Sequence, residues 1–208
     1  MSSPCSPLLT AGRPSAVRRV LAWSVDFALV LGMAYVLGVL AAHRIAESLT
    51  DLPELAALGG WNLLTEDGGA LDRARQFAWA LWDEAAFIFI QSCVLLVVST
   101  FLYHWATLTF GGCTLGKRLL GLRVTRCSAR TAALRAAATT TADVACFALA
   151  CCLLAAGAYL AAFGAWVLAG AAFWANGLPA LFFSGRSLAD QLAGTAVVRR
   201  GPPAGRAA

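Results

Sequence analysis

The chain has 208 residues, 60% of them hydrophobic and only 13% charged, with a formal net charge of +5. Soluble domains carry close to twice that share of charged side chains, so a water-exposed fold of this length would lack the polar surface to cover itself. The apolar residues also come in long blocks, which points to lipid as the solvent.

Residues 1–15 are polar and rich in Ser and Pro, and read as a disordered, cytoplasmic N-terminus. Residues 20–42 form the first apolar block, with Asp26 its only charge. The block is longer than the apolar part of a signal sequence and is interrupted by that charge, so it reads as a retained crossing. Residues 43–84 form a loop broken by Gly59-Gly60 and Gly68-Gly69. Its part from 71 to 83 is made of good helix formers and leads helically into the next crossing, with Trp79 and Trp82 as interfacial anchors. Trp23 and Trp105 take the same role at the opposite face.

Residues 85–108 are the second crossing. The stretch 144–183 then runs for 40 residues without a charge. About 20 apolar residues cross a bilayer, so this length holds two helices, about 144–162 and 164–183. The turn between them is expected between Gly157 and Gly164. A short helix at the membrane face follows, then a brief extended piece at 195–198, and a disordered tail at 201–208.

Charge placement tests the count. Of 16 basic residues, 13 fall in the N-terminal segment, the segment between the second and third crossings, and the tail. The loop at 43–84 holds three basic residues against eight acids. Basic segments stay cytoplasmic, and only an even number of crossings leaves all three inside. The expectation is an all-α, polytopic membrane helix bundle. It has four transmembrane helices, short cytoplasmic amphipathic segments and both termini in the cytoplasm, and it sits in the plasma membrane.

None of the seven cysteines falls in the expected outer loop, and no CxxC or clustered His/Cys spacing suggests a metal or another cofactor. No Ser/His/Asp spacing or paired carboxylates suggest an enzyme. The expected surroundings are the bilayer, with anionic headgroups on the cytoplasmic side, and a second copy or another membrane protein, but no nucleic acid.

Three short stretches carry the remaining chemistry. In Arg19-Val-Leu-Ala22-Trp-Ser-Val-Asp26, the arginine and aspartate lie seven residues apart and share a helix face. At about 1.5 Å per residue, Asp26 sits roughly 10 Å further along, inside the hydrocarbon edge. A carboxylate there needs a partner or a wet cavity. In Gly111-Gly112-Cys-Thr114-Leu-Gly116-Lys117-Arg118, the glycines and lysine match the spacing of a phosphate loop. However, Arg118 stands where Ser or Thr would hold magnesium, and the segment before it is a crossing rather than a strand. The stretch reads instead as a glycine-hinged turn and a basic amphipathic segment, with Lys117, Arg118 and Arg123 facing headgroups or a partner. In the third stretch, Arg186 and Asp190 are four apart and can pair on a helix face that ends near Gly194.

Together these stretches resemble the RDD family of small membrane proteins, across about residues 16–200. The likeness lies in Arg19-x-x-Ala22-x-x-x-Asp26, in Thr114-Leu-Gly116-Lys117-Arg118-Leu-Leu-Gly121-Leu-Arg123-Val124, and in Arg186-x-Leu-x-Asp190-x-x-Ala-Gly194-Thr195. It implies Arg19, Asp26 and Asp190 as signature residues and a proposed link to transport. Where the last motif often has His before its aspartate, this chain has Ala189.

Three readings of the charge cluster Arg19, Asp26, Arg186 and Asp190 follow. As a structural staple, it ties the first helix to the segment after the fourth and specifies one packing. As a transport site, Asp26 is the proton or cation ligand, with Asp190 and Arg19 tuning it. As part of a non-catalytic accessory or scaffold protein, it sits behind basic inner segments that contact lipid or a partner.

Overall fold

The computed structural model describes residues 15–50, 70–124, 128–178 and 197–199. Helix α1, Ala16–Thr50, buries a narrow stripe of Ala22, Asp26 and Val30 at fourth-residue spacing. Its other faces expose Leu21, Leu31, Tyr35, Val36 and Val39, as a lipid-facing helix does. Helix α2, Ala70–Gly111, has 42 residues. At about 1.5 Å per residue it is roughly 63 Å long, twice a hydrocarbon core, so one end projects from the membrane. The helical lead-in expected at 71–83 is part of this one helix. Its buried stripe is Thr100, His104 and Leu108.

The two helices run antiparallel. At the end remote from the N-terminus, Arg44 Nη1 donates to Gln91 Oε1 at 2.9 Å and Ser48 Oγ to Glu84 Oε1 at 2.8 Å. The chain leaves α2 through Gly112, whose φ of 64° favours glycine. It then forms the short helix α3, Leu115–Leu119, which packs on α1. A second left-handed glycine, Gly121, leads into strand β1, Leu122–Val124. That strand pairs antiparallel with β2, Val197–Arg199, with Arg123 opposite Val198. This ladder is an addition to the all-α expectation: the extended piece placed at 195–198 has a partner in the segment between the second and third crossings.

The third crossing is one rod made of helix α4, Ala129–Thr140, a π-helical segment, Thr141–Ala145, and helix α5, Cys146–Ala155. It starts well before the expected residue 144. Ser128 caps it, its hydroxyl accepting from Thr131 N at 3.3 Å, and the alanine-rich run behind favours helix. The helix thus extends on the N-terminal side of the charge-free run. Arg135 is buried and Asp143 half-buried within the bundle, so neither is offered to lipid.

The rod ends in a turn around Gly157, φ 77°, where Ala158 N donates to Leu153 O at 2.9 Å and Gly157 N to Leu154 O at 3.0 Å. This is the paired closure of a glycine-terminated helix. It places the turn at the first of the two glycines expected to bracket it. Helix α6, Tyr159–Leu178, returns against α5. Ala150, Ala162 and Ala169 are almost fully buried, small enough for close backbone approach.

Among the described residues, four helices are long and apolar enough to cross a membrane: Val17–Ser48, Arg75–Gly111, Ala129–Ala155 and Tyr159–Asn176. The chain is thus a polytopic membrane helix bundle. The N-terminal segment at 1–14, the glycine-broken part of the loop, the Arg186 and Asp190 pair with its short helix, and the tail after 200 lie outside the described residues.

Candidate functional site

Asp26 is 6% exposed, at the point where α1, α2 and α3 meet. Its Oδ1 accepts from the Tyr103 hydroxyl and from the Gly116 backbone N–H, both at 2.9 Å. Its Oδ2 accepts from the Thr114 hydroxyl. The Tyr103 oxygen in turn accepts from Leu115 N at 3.3 Å. An ionised carboxylate only accepts, so three converging donors are what a buried one requires.

The sequence builds this clamp through size. Ala22, one turn before Asp26, is 1% exposed, and Gly116 sits directly on it. A Cβ at Gly116 would run into the Ala22 carbonyl oxygen and lie 3.0 Å from Asp26 Cγ. Glycine there lets the turn after α2 lie flat on α1 and aim its amide at the carboxylate. The turn with the spacing of a phosphate loop thus presents its N–H to an anion of its own chain.

Behind the clamp lies a cavity of about 60 Å³. Asp26 and Thr114 form one side, and His104, Lys117, Arg135 and Asp143 contribute from α2, α3, α4 and the π-helical segment. His104 is 7% and Arg135 4% exposed, so the wall carries groups that water does not solvate from outside. Trp23 and Phe27 close another side, stacked at 5.1 Å between ring centres, with Phe173 of α6 edge-on to both at 5.6 and 6.4 Å. Asp143 meets α6 through Asn176, whose Nδ2 donates to Oδ1 at 3.4 Å.

The residues anticipated from sequence separate here. Asp26 is central. Arg19 is half-buried on the same helix, while the three hydrogen bonds to Asp26 come from α2, α3 and the turn between them. Lys117 is half-buried and lines the cavity, whereas Arg118 is exposed. Arg123 lies on β1, opposite Val198. Arg186 and Asp190 are outside the described residues. Trp23 is part of the cavity wall, and Trp105 packs on Leu108 and Ala132.

Four contributors escape sequence reasoning: Tyr103, Arg135, Asp143 and Asn176. One had a signal. Asp143 is the only acid between Glu84 and Asp190. A lone acid next to a long apolar run has the same character as Asp26 in the first block. His104 reads from sequence as an isolated interfacial polar group, and the fold instead places it against Lys117, Arg135 and Asp143.

The model of the RDD family matches residues 13–194, and the chain belongs to that family. No curated protein matches the chain. No solved structure matches it.

Proposed function

We propose that this RDD-family protein carries a proton, small cation or small solute across the plasma membrane by way of the cavity between α1, α2, α3 and the third crossing. One observation supports this reading above others: a water-sized, charge-lined cavity lies within the membrane-spanning bundle. Ionisable groups at that depth are costly, and where they line a cavity they mark an ion or proton path. In this reading both termini are cytoplasmic and the cavity lies toward the cytoplasmic face, as the basic segments require. The protein is not an enzyme and needs no cofactor. Its exposed basic groups, Arg118 among them, contact anionic headgroups. Four helices per chain are few for a carrier, so the working unit includes a second copy or a membrane partner.

A second reading rests on the clamp. Asp26 is saturated by donors that lock α3 and the turn before it onto α1, which is what a structural staple in an accessory protein would look like. Purified protein in liposomes with an internal pH dye separates the two. Transport predicts dye response to an imposed Na⁺ or K⁺ gradient above that of protein-free liposomes. Equal response in both would leave the accessory reading standing.

A further inference from the structure

We propose that Asp143, rather than the signature carboxylate Asp26, is the group in this cavity that takes up and releases a proton. The inference rests on the reading of the cavity as a transport route. It names the residue that changes state within it.

The two carboxylates on the wall differ in how they are held. Asp26 accepts three hydrogen bonds, two of them to one oxygen, and each donor belongs to the fixed frame of α2 and α3. Asp143 has looser company. Asn176 Nδ2 donates at 3.4 Å, long for such a bond, and the Trp23 indole N–H lies beside it. Both hydrogen-bond donors are neutral, and the charged Lys117 acts on the carboxylate from the cavity wall, whereas the Asp26 carboxylate takes three hydrogen bonds.

The backbone under Asp143 differs as well. Residues Thr141–Ala145 form a π-helical turn inside an otherwise α-helical rod. Such turns are rare, interrupt the regular ladder and re-aim side chains, often where a protein functions. Here the turn delivers the only acid of the third crossing to the cavity. Asp143 lies twelve residues before the end of α5 at Ala155 and fourteen after the start of α4 at Ala129, about 18 and 21 Å along the rod at 1.5 Å per residue, so the cavity it lines is the water route in this proposal.

The neighbouring charges favour a proton over a metal ion. The titratable groups that line the cavity with Asp143 are Asp26 from α1, His104 from α2, Lys117 from α3 and Arg135 from α4, two turns earlier on the same rod. The two acids and two bases balance when His104 is neutral. A hard cation would need several oxygen ligands beside Lys117 and Arg135. A proton needs only one open lone pair and a path through water. His104 is buried and lines the same cavity. The step is a transfer from hydronium in the cavity water to an Asp143 oxygen, leaving water, and its reverse.

Infrared difference spectra of the full-length protein in lipid nanodiscs, taken as pH is lowered, test this. The wild type should gain a carboxylic-acid C=O band distinct in position from that of the exposed loop acids. Asp143→Asn should lose that band entirely, and Asp143→Glu should shift it. A folded Asp143→Asn protein that keeps the band, or a wild type without it, overturns the proposal. If Asp143→Asn does not fold, an unshifted band in Asp143→Glu overturns it as well. A band that behaves as expected while liposome flux is absent would sink the transport reading and leave the proton site standing.

Discussion

Gly116→Ala probes the clamp most directly. The added methyl carbon would overlap the Ala22 carbonyl oxygen and sit 3.0 Å from both Ala22 C and Asp26 Cγ. The Ala22 carbonyl oxygen is the closest overlap and sets the shift: to reach a relaxed contact of about 3.5 Å, α3 must lift from α1 by roughly 1 Å or more. A lift of that size stretches the Gly116 N–H bond to Asp26 from 2.9 Å to beyond useful range and strains the Thr114 bond beside it. A hydrogen bond to a charged group contributes about 1.5–3 kcal/mol, and overpacking costs about 1–3 kcal/mol more. The expected loss is therefore about 2.5–6 kcal/mol. At roughly 2–4 °C per kcal/mol for a chain of this size, the melting midpoint should fall by about 5–24 °C. The assay is thermal unfolding of purified protein in detergent, followed by the loss of the monodisperse chromatographic peak. Gly164→Ala is the control, because a Cβ there meets nothing within 4 Å. Equal midpoints for Gly116→Ala and Gly164→Ala would refute the argument that absence of a side chain at Gly116 is what seats α3 on Asp26.

Further outcomes follow from the same geometry. Thr114→Ser keeps the hydroxyl that reaches Asp26 and should melt within about 1 kcal/mol of wild type. Thr114→Val leaves one carboxylate oxygen without that donor and should cost about 2–3 kcal/mol in the same assay. A double variant, Arg123→Cys with Val198→Cys, places thiols on facing ladder positions. Mild oxidation should close an intramolecular disulfide, seen as a mobility shift on a non-reducing gel, and Arg123→Cys with Val197→Cys should form far less. Ser15→Cys should resist a membrane-impermeant thiol reagent applied to intact cells and react after lysis, if the N-terminus is cytoplasmic; labelling before lysis would reverse the proposed orientation. Gly157→Cys should do the opposite.

The sequence by itself determined the solvent, the class of fold and the number of crossings. Hydrophobic length and charge asymmetry are properties of the chain read in one dimension, and lipid responds to them directly. The same is true of the helical approach to the second crossing, whereas the sequence offered Gly157 and Gly164 as bounds for the last turn and the fold placed it at Gly157. Tertiary structure decided where the third crossing begins, because Arg135 and Asp143 face the bundle and so escape the cost that lipid imposes on charge. It also decided the partners of Asp26. From the sequence, an arginine two turns away on the same face is the natural neighbour. In the fold, the near approach of α3, permitted by Gly116 and Ala22, brings Tyr103, Thr114 and a backbone amide to the carboxylate from 77 to 90 residues away. The cavity is likewise a product of packing: Arg135 and Asp143 share the rod of the third crossing, and no local spacing relates them to Asp26, His104 or Lys117 until the helices meet.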